Sequence, residues 1–106
     1  MSDFSDMLSK AKKMREEMQK AQESIKKIQV EGVSGGNLVK IILGGDYEMK
    51  SIQIDPKAKN EKEEIINDLI IAAHNDAKEK LKKKTSEEIS KVTGGIDLPP
   101  GFKMPF

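Results

Sequence analysis

Apolar or small side chains recur at Phe4, Met7, Ala11, Met14, Met18, Ala21, Ile25 and Ile28, in steps that alternate three, four, three, four. This is a heptad seam with an average period of ~3.5 residues, and it predicts one long helix over 4–28. No Pro or Gly interrupts the run, and its Ala, Met, Lys, Glu and Gln are good helix formers. A seam that narrow on a helix that long needs something outside itself to pack on.

The period then changes. Residues 30–33 read as a first strand, ending at the turn cluster Ser34, Gly35, Gly36 and Asn37. Residues 38–43, LVKIIL, are the most apolar strand: Val39, Ile41 and Leu43 share one face, Leu38, Lys40 and Ile42 the other. Gly44, Gly45 and Asp46 form a hairpin turn into a third strand over 47–54. The third strand shifts phase midway. Tyr47 and Met49 share one face while Ile52 and Ile54 share the opposite one, and a bulge or strong twist near Lys50 and Ser51 reconciles them. Short turns between consecutive strands imply an antiparallel meander. Its two open edges invite pairing, and apolar residues on both faces of the middle strand ask for two covers.

Asp55 and Pro56 close the sheet. Asn60 with Glu63 matches an N-cap and its reciprocal Glu, and Glu61, Glu63 and Glu64 suit the positive end of a helix. Ile65, Ile66, Leu69, Ile70, Ala73, Ala77 and Leu81 then form an apolar stripe at helical spacing. Beyond it the helix either continues through Thr85 or restarts there as a short piece carrying Ile89 and Val92, and Gly94 and Gly95 end it. The last stretch, IDLPPGFKMPF, holds three Pro and a Gly and is neither helix nor regular strand. Leu98, Phe102, Met104 and Phe106 make it apolar, so it packs on its own domain, packs on a dimer mate or docks on another protein. The predicted class is α+β in a single domain over 1–106. It comprises a long N-terminal helix (4–28), a three-stranded antiparallel meander (30–54), a long amphipathic helix (60–93, with a possible break near 85) and an extended Pro-rich C-terminal tail (96–106).

Composition narrows the function. With 106 residues, 36% apolar and 35% charged, the chain builds a modest core and suits a small helical protein stabilised by self-association. It has no Cys, which excludes disulfides and thiolate metal sites. No signal-peptide run or membrane-spanning stretch is present, so a soluble, cytoplasmic protein with no membrane partner is expected. The net charge is +1, so binding to nucleic acid depends on how charge is distributed. All but one of the 19 basic side chains are Lys, the exception being Arg15. Lys meets phosphate as a point charge, whereas Arg supplies the fork that reads guanine edges, so shape and charge are read more than base sequence.

With Phe4 at heptad position a, positions b and c hold Lys12, Lys13, Lys20, Lys26 and Lys27. Positions f and g hold Glu16, Glu17 and Glu23, with Lys10 as the exception. The two stripes serve either as a solvated face with i,i+4 pairs or as a phosphate-facing surface. Between Lys78 and Lys84, five Lys against one Glu leave a local charge of +4, which also suits a helix C-terminus.

Catalytic constellations are lacking. Gly32, Ser34 and Gly36 match G-x-S-x-G, but a strand follows where the nucleophile elbow requires a helix. His74 is the only His, with no nucleophile at helical spacing and no converging metal ligands. The glycine pairs lack the frame that cradles phosphate. No enzyme, cofactor, metal or small-molecule substrate is expected. Of the four aromatics only Tyr47 lies in the sheet, which disfavours base stacking.

Several pieces in order resemble the YbaB/EbfC nucleoid-associated proteins. They are Val30, Glu31 and Gly32; Gly36, Asn37, Leu38, Val39 and Lys40; Ile54, Asp55 and Pro56; AAHNDA at 72–77; and LPPGFKMPF at 98–106. The resemblance covers essentially the full chain. It implies a homodimer whose long helices project like the arms of tweezers. It implies binding of double-stranded DNA with little sequence preference, altering DNA conformation, organising the nucleoid and influencing gene expression. It also implies that the projecting helices carry the contacts, here Lys12, Lys13, Arg15 and Lys20 on the first helix and Lys82, Lys83 and Lys84 on the second. The competing expectation is a protein–protein adaptor in replication or repair, acting through the heptad helix and the tail.

Overall fold

The computed structural model describes residues 2–93, with side chains placed for 3–91. Element order is α1 (Ser2–Lys26), β1 (Gln29–Ser34), β2 (Val39–Gly44), β3 (Met49–Ile54), a 3₁₀ turn (Pro56–Asn60) and α2 (Glu63–Thr93). The three strands form one antiparallel sheet in the order β1-β2-β3. The expected tail, 96–106, lies outside the described residues.

Turn chemistry sets the sheet. Gly35, Gly36 and Asn37 all adopt positive φ, at 60°, 64° and 73°, which Gly and Asn tolerate best. The second turn is a three-residue loop: Gly44 N–H donates to the Glu48 carbonyl (2.8 Å) and Tyr47 N–H to the Gly44 carbonyl (2.9 Å). Asp46 accepts the Glu48 N–H at 3.0 Å, a bond that holds its carboxyl below the ordinary value. Tyr47 takes the left-handed position, φ 66°, which is unusual for so bulky a side chain.

The phase shift in the third strand is a bulge. Ile42 pairs with Ser51 and Leu43 with Met49, leaving Lys50 as the extra residue. The bulge returns Met49, Ile52 and Ile54 to one face, beside Leu43, Ile41 and Val39.

One face of the sheet carries the core. Val39, Ile41 and Leu43 are fully buried against Ala73, Ala77 and Leu81 of α2, with Val30, Ile28, Leu69 and Ile70 around them. Ala at 73 and 77 lets α2 approach closely, and Gly32 opposite completes the fit: a Cβ there would overlap the Ala73 carbonyl oxygen and the Ala77 nitrogen. The helix lies over β1 and β2. It leaves β3 uncovered, with Met49 (43%), Ile52 (43%) and Ile54 (40%) exposed on the face where their β2 partners are fully buried.

Two expectations are corrected, and of the two alternatives at Thr85 one is found. Asn60 does not cap α2. It ends the 3₁₀ turn, which Asp55 caps by accepting the Lys57 N–H at 2.8 Å, and the first bonds of α2 go from the Ile65 and Ile66 N–H groups to the Lys62 carbonyl. Pro56 starts that turn with its φ already near helical values, so the chain rotates before α2 begins. The helix also passes through Thr85 without a break, since no Pro or Gly interrupts it. Finally, among the described residues only one sheet edge is open. On β1, Val33 N–H donates to Asp76 Oδ2 (2.9 Å) and Lys80 Nζ donates to the Glu31 carbonyl (3.0 Å), while Asp76 and Lys80 pair with each other at 2.8 Å. Two side chains one helical turn apart thus bind the backbone edge that a further strand would use. Deeper along the same contact, Ser34 Oγ donates to the Leu69 carbonyl at 2.6 Å.

Helix α1 packs on α2 through its second half only. Ala21 and Ile25 are buried, Met18 is half-buried, and Glu17, Lys20, Ala21 and Ser24 line a groove with Glu88 and Lys91 of α2. Residues 3–16 are all exposed, including the seam positions Phe4 and Met7 at 64% each. The radius of gyration is 19.3 Å, against about 13 Å for a compact chain of this length.

Candidate nucleic-acid interface

The lysines singled out from sequence fall into two groups. Lys12, Lys13, Arg15 and Lys20 are exposed on α1, and none forms an ion pair among the described residues. Lys13 and Lys20, seven residues apart, lie on one side of the helix about 10 Å from each other. Arg15 stands apart, flanking the seam from the other side. Lys13 shares a shallow groove with Lys10, Met14 and Glu17, so Lys10, the exception in the heptad reading, belongs with the basic group. Its i,i+3 spacing to Lys13 is the signal that finds it.

Lys20 lies across the helix pair from Lys91, whose ammonium pairs with Glu88 at 3.1 Å. Lys91 was not among the residues expected to act. Only the antiparallel packing of α1 on α2 brings it beside Lys20.

On α2 the three expected lysines divide. Lys82 pairs with Glu79 at 3.6 Å, an exposed i,i+3 contact of small energetic weight. Lys83 and Lys84 are exposed and carry no ion pair among the described residues. They line a groove beneath β1 with Lys80, Glu31 and Glu87. Lys80, from the same Lys-rich run, is committed to the β1 edge. Its partner Asp76 is held below the ordinary carboxylate value, first by the hydrogen bond from Lys80 and then by the Val33 N–H. The Asp–x–x–x–Lys spacing is visible in the sequence; that it grips a strand is not.

The arrangement is therefore a set of exposed ammonium groups along the two helices, with a single guanidinium. It can neutralise phosphates spaced along a rod. His74 is half-buried on α2, and no cluster of metal-ligating side chains occurs among the described residues. No helix among the described residues is long and apolar enough to cross a membrane.

The chain resembles known proteins over essentially its whole length. The chain is 46% identical to a nucleoid-associated protein of Agrobacterium fabrum over the full length of both. It is 43% identical to a nucleoid-associated protein of Xylella fastidiosa, covering 97% of this chain and 96% of the relative. The fold matches the crystal structure of an uncharacterized protein from Helicobacter pylori, with a TM-score of 0.72 and 22% identity, over 86% of this chain and 97% of that one. The sequence profile of the YbaB/EbfC DNA-binding family matches residues 1–96. The chain belongs to the YbaB/EbfC DNA-binding family, and it is a DNA-binding protein rather than an enzyme.

Proposed function

We propose that this protein acts as a nucleoid-associated homodimer that binds double-stranded DNA with little sequence specificity, altering its conformation, organising the nucleoid and influencing gene expression. The observation that carries the reading is the pair of unpaired Lys groups, Lys12, Lys13 and Lys20 on α1 and Lys83 and Lys84 on α2, on surfaces with one Arg between them. Ammonium groups that are already solvated and free of carboxylates lose little on meeting phosphate, and they release the counterions that the duplex had condensed. Arg15 and Lys82 add to these two groups. Relatives named as nucleoid-associated support the same assignment and the same location in the cell.

The dimer forms through β3. Its edge is the open one, and Met49, Ile52 and Ile54 present an exposed apolar row beside it. A second β3 pairing there extends the sheet and covers that row, while α1 and the far end of α2 project from each subunit as arms.

Charge reversal tests the surface. Lys12→Glu, Lys13→Glu and Lys20→Glu together are expected to abolish binding of a labelled ~30 base-pair duplex in fluorescence anisotropy, with helical content and subunit mass unchanged. Unaltered affinity in that variant would sink the assigned surface.

A further inference from the structure

Among the described residues, the seam of α1 has a partner for only half its length. Ala21 and Ile25 pack on α2, yet Phe4, Met7, Leu8 and Met14 continue along the helix with 44–64% of their surface exposed. Four large apolar side chains in a row on one helix are more than scattered surface exposure.

The place where α2 ends says what comes next along that seam. The two helices run antiparallel, since Lys91 lies beside Glu17 and Lys20, and Glu88 beside Ala21 and Ser24. Thr93, the last residue of α2, therefore stands about level with the residues just after Met14, where the bare stretch begins. From there the bare seam, Met14 back to Phe4, spans about 15 Å of helix. The chain that follows α2, residues 94–106, spans up to about 40 Å when extended. It opens with Gly94 and Gly95, which permit a change of direction, and its Pro99, Pro100 and Pro105 disfavour a helix. Its apolar side chains, Ile96, Leu98, Phe102, Met104 and Phe106, are enough in number and size to cover the four left exposed.

We propose that residues 96–106 lie along the first half of α1 of the same chain, covering Phe4, Met7, Leu8 and Met14 and strapping the arm that carries Lys12, Lys13 and Arg15. The strap completes the seam where α2 runs out. It also adds tertiary contacts to a helix half that otherwise has only its intrinsic propensity to hold it. The inference does not rest on the DNA-binding reading, and its test does not involve DNA.

The chain has no Cys, so paired cysteines report cleanly. In the full-length protein, Met7→Cys with Met104→Cys is expected to close a disulfide on mild oxidation. The product should run at monomer mass in non-reducing denaturing electrophoresis. The control pair, Ser9→Cys with Met104→Cys, places the first thiol on the opposite face of α1 and should close about tenfold more slowly. Equal rates for the two pairs, or a product only at dimer mass, overturn the proposal, the latter assigning the tail to a partner subunit. A second measurement needs no engineered thiol. In Phe102→Ser with Phe106→Ser, amides of residues 4–14 should exchange with deuterium about fivefold faster or more, while those of 17–25 keep their rates. Unchanged exchange at 4–14 overturns the strap and leaves the seam to a separate protein.

Discussion

Gly32 and Asp76 do the most precise work in the fold. At Gly32 the sheet and α2 are so close that any side chain collides with helix backbone, and backbone has no rotamer to move aside. Gly32→Ala is expected to cost roughly 2–3 kcal/mol or more, read as a lowered denaturation midpoint with an unchanged slope. Asp76 is the pH-sensitive member. Its carboxyl is held below the ordinary 3.8 by Lys80 and by the Val33 N–H. A depressed folded-state value means that the unfolded chain binds the proton first as acid is added. The contribution of Asp76 is therefore fully present above the unfolded value and fades as pH falls below about 3.8 toward the folded value. Denaturation midpoints of the native protein and of Asp76→Asn should accordingly differ at neutral pH and converge as pH falls below 3.8. A constant gap would mean that the carboxylate charge is not what holds the β1 edge.

Among the elements, β1 and β3 have opposite fates although both are edge strands of the same sheet. The first is gripped along its backbone by α2, and the second is bare on its edge and on the face toward the helix side. In the proposed homodimer, this asymmetry makes β3 the pairing edge. Ile52→Lys places a charge in the exposed apolar row without touching the buried core. It is expected to shift the protein to monomer by light scattering at micromolar concentration while circular dichroism stays the same. A Lys at Val33, on the gripped edge, should leave subunit mass as it was.

For the molecule as a whole, the long shape and the nearly neutral net charge fit together. A +1 chain gains little long-range attraction to DNA, so the proposed binding rests on local contacts between free lysines and phosphates. With roughly four to eight such contacts per dimer, log affinity should fall against log salt with a slope of about −0.9 per phosphate. A fourfold rise in salt then weakens binding about a hundredfold or more. Two unrelated duplexes should follow the same line, because one Arg per chain supplies few bidentate base contacts. A strong preference for one duplex, with a shallow slope, would instead indicate base readout.

Much of this architecture was legible before any coordinates. The 3.5-residue seam, the turn clusters and the period-2 strands are local signals, because helix and strand geometry impose them on neighbouring residues. Even the phase shift near Lys50 and Ser51 was visible, and of its two remedies, a bulge or a strong twist, the fold uses the bulge. The candidate lysines were legible as charge patterns, and the family followed from short motifs along the chain. What could not be read were facts about which distant residues meet. Asn60 carried the local signature of a cap, yet the Asp55–Pro56 turn delayed the helix past it. Two edges looked equally open until α2 laid Asp76 and Lys80, 43 and 49 residues from their strand partners, along one of them. Lys91 joined Lys20 only through antiparallel packing. Sequence pattern specifies what each segment is, because that depends on spacing within a few residues. Which edge is sealed, which apolar row stays bare and which lysines stand free depend on where α2 comes to rest on the sheet. That position follows from the close approach that Gly32, Ala73 and Ala77 permit together.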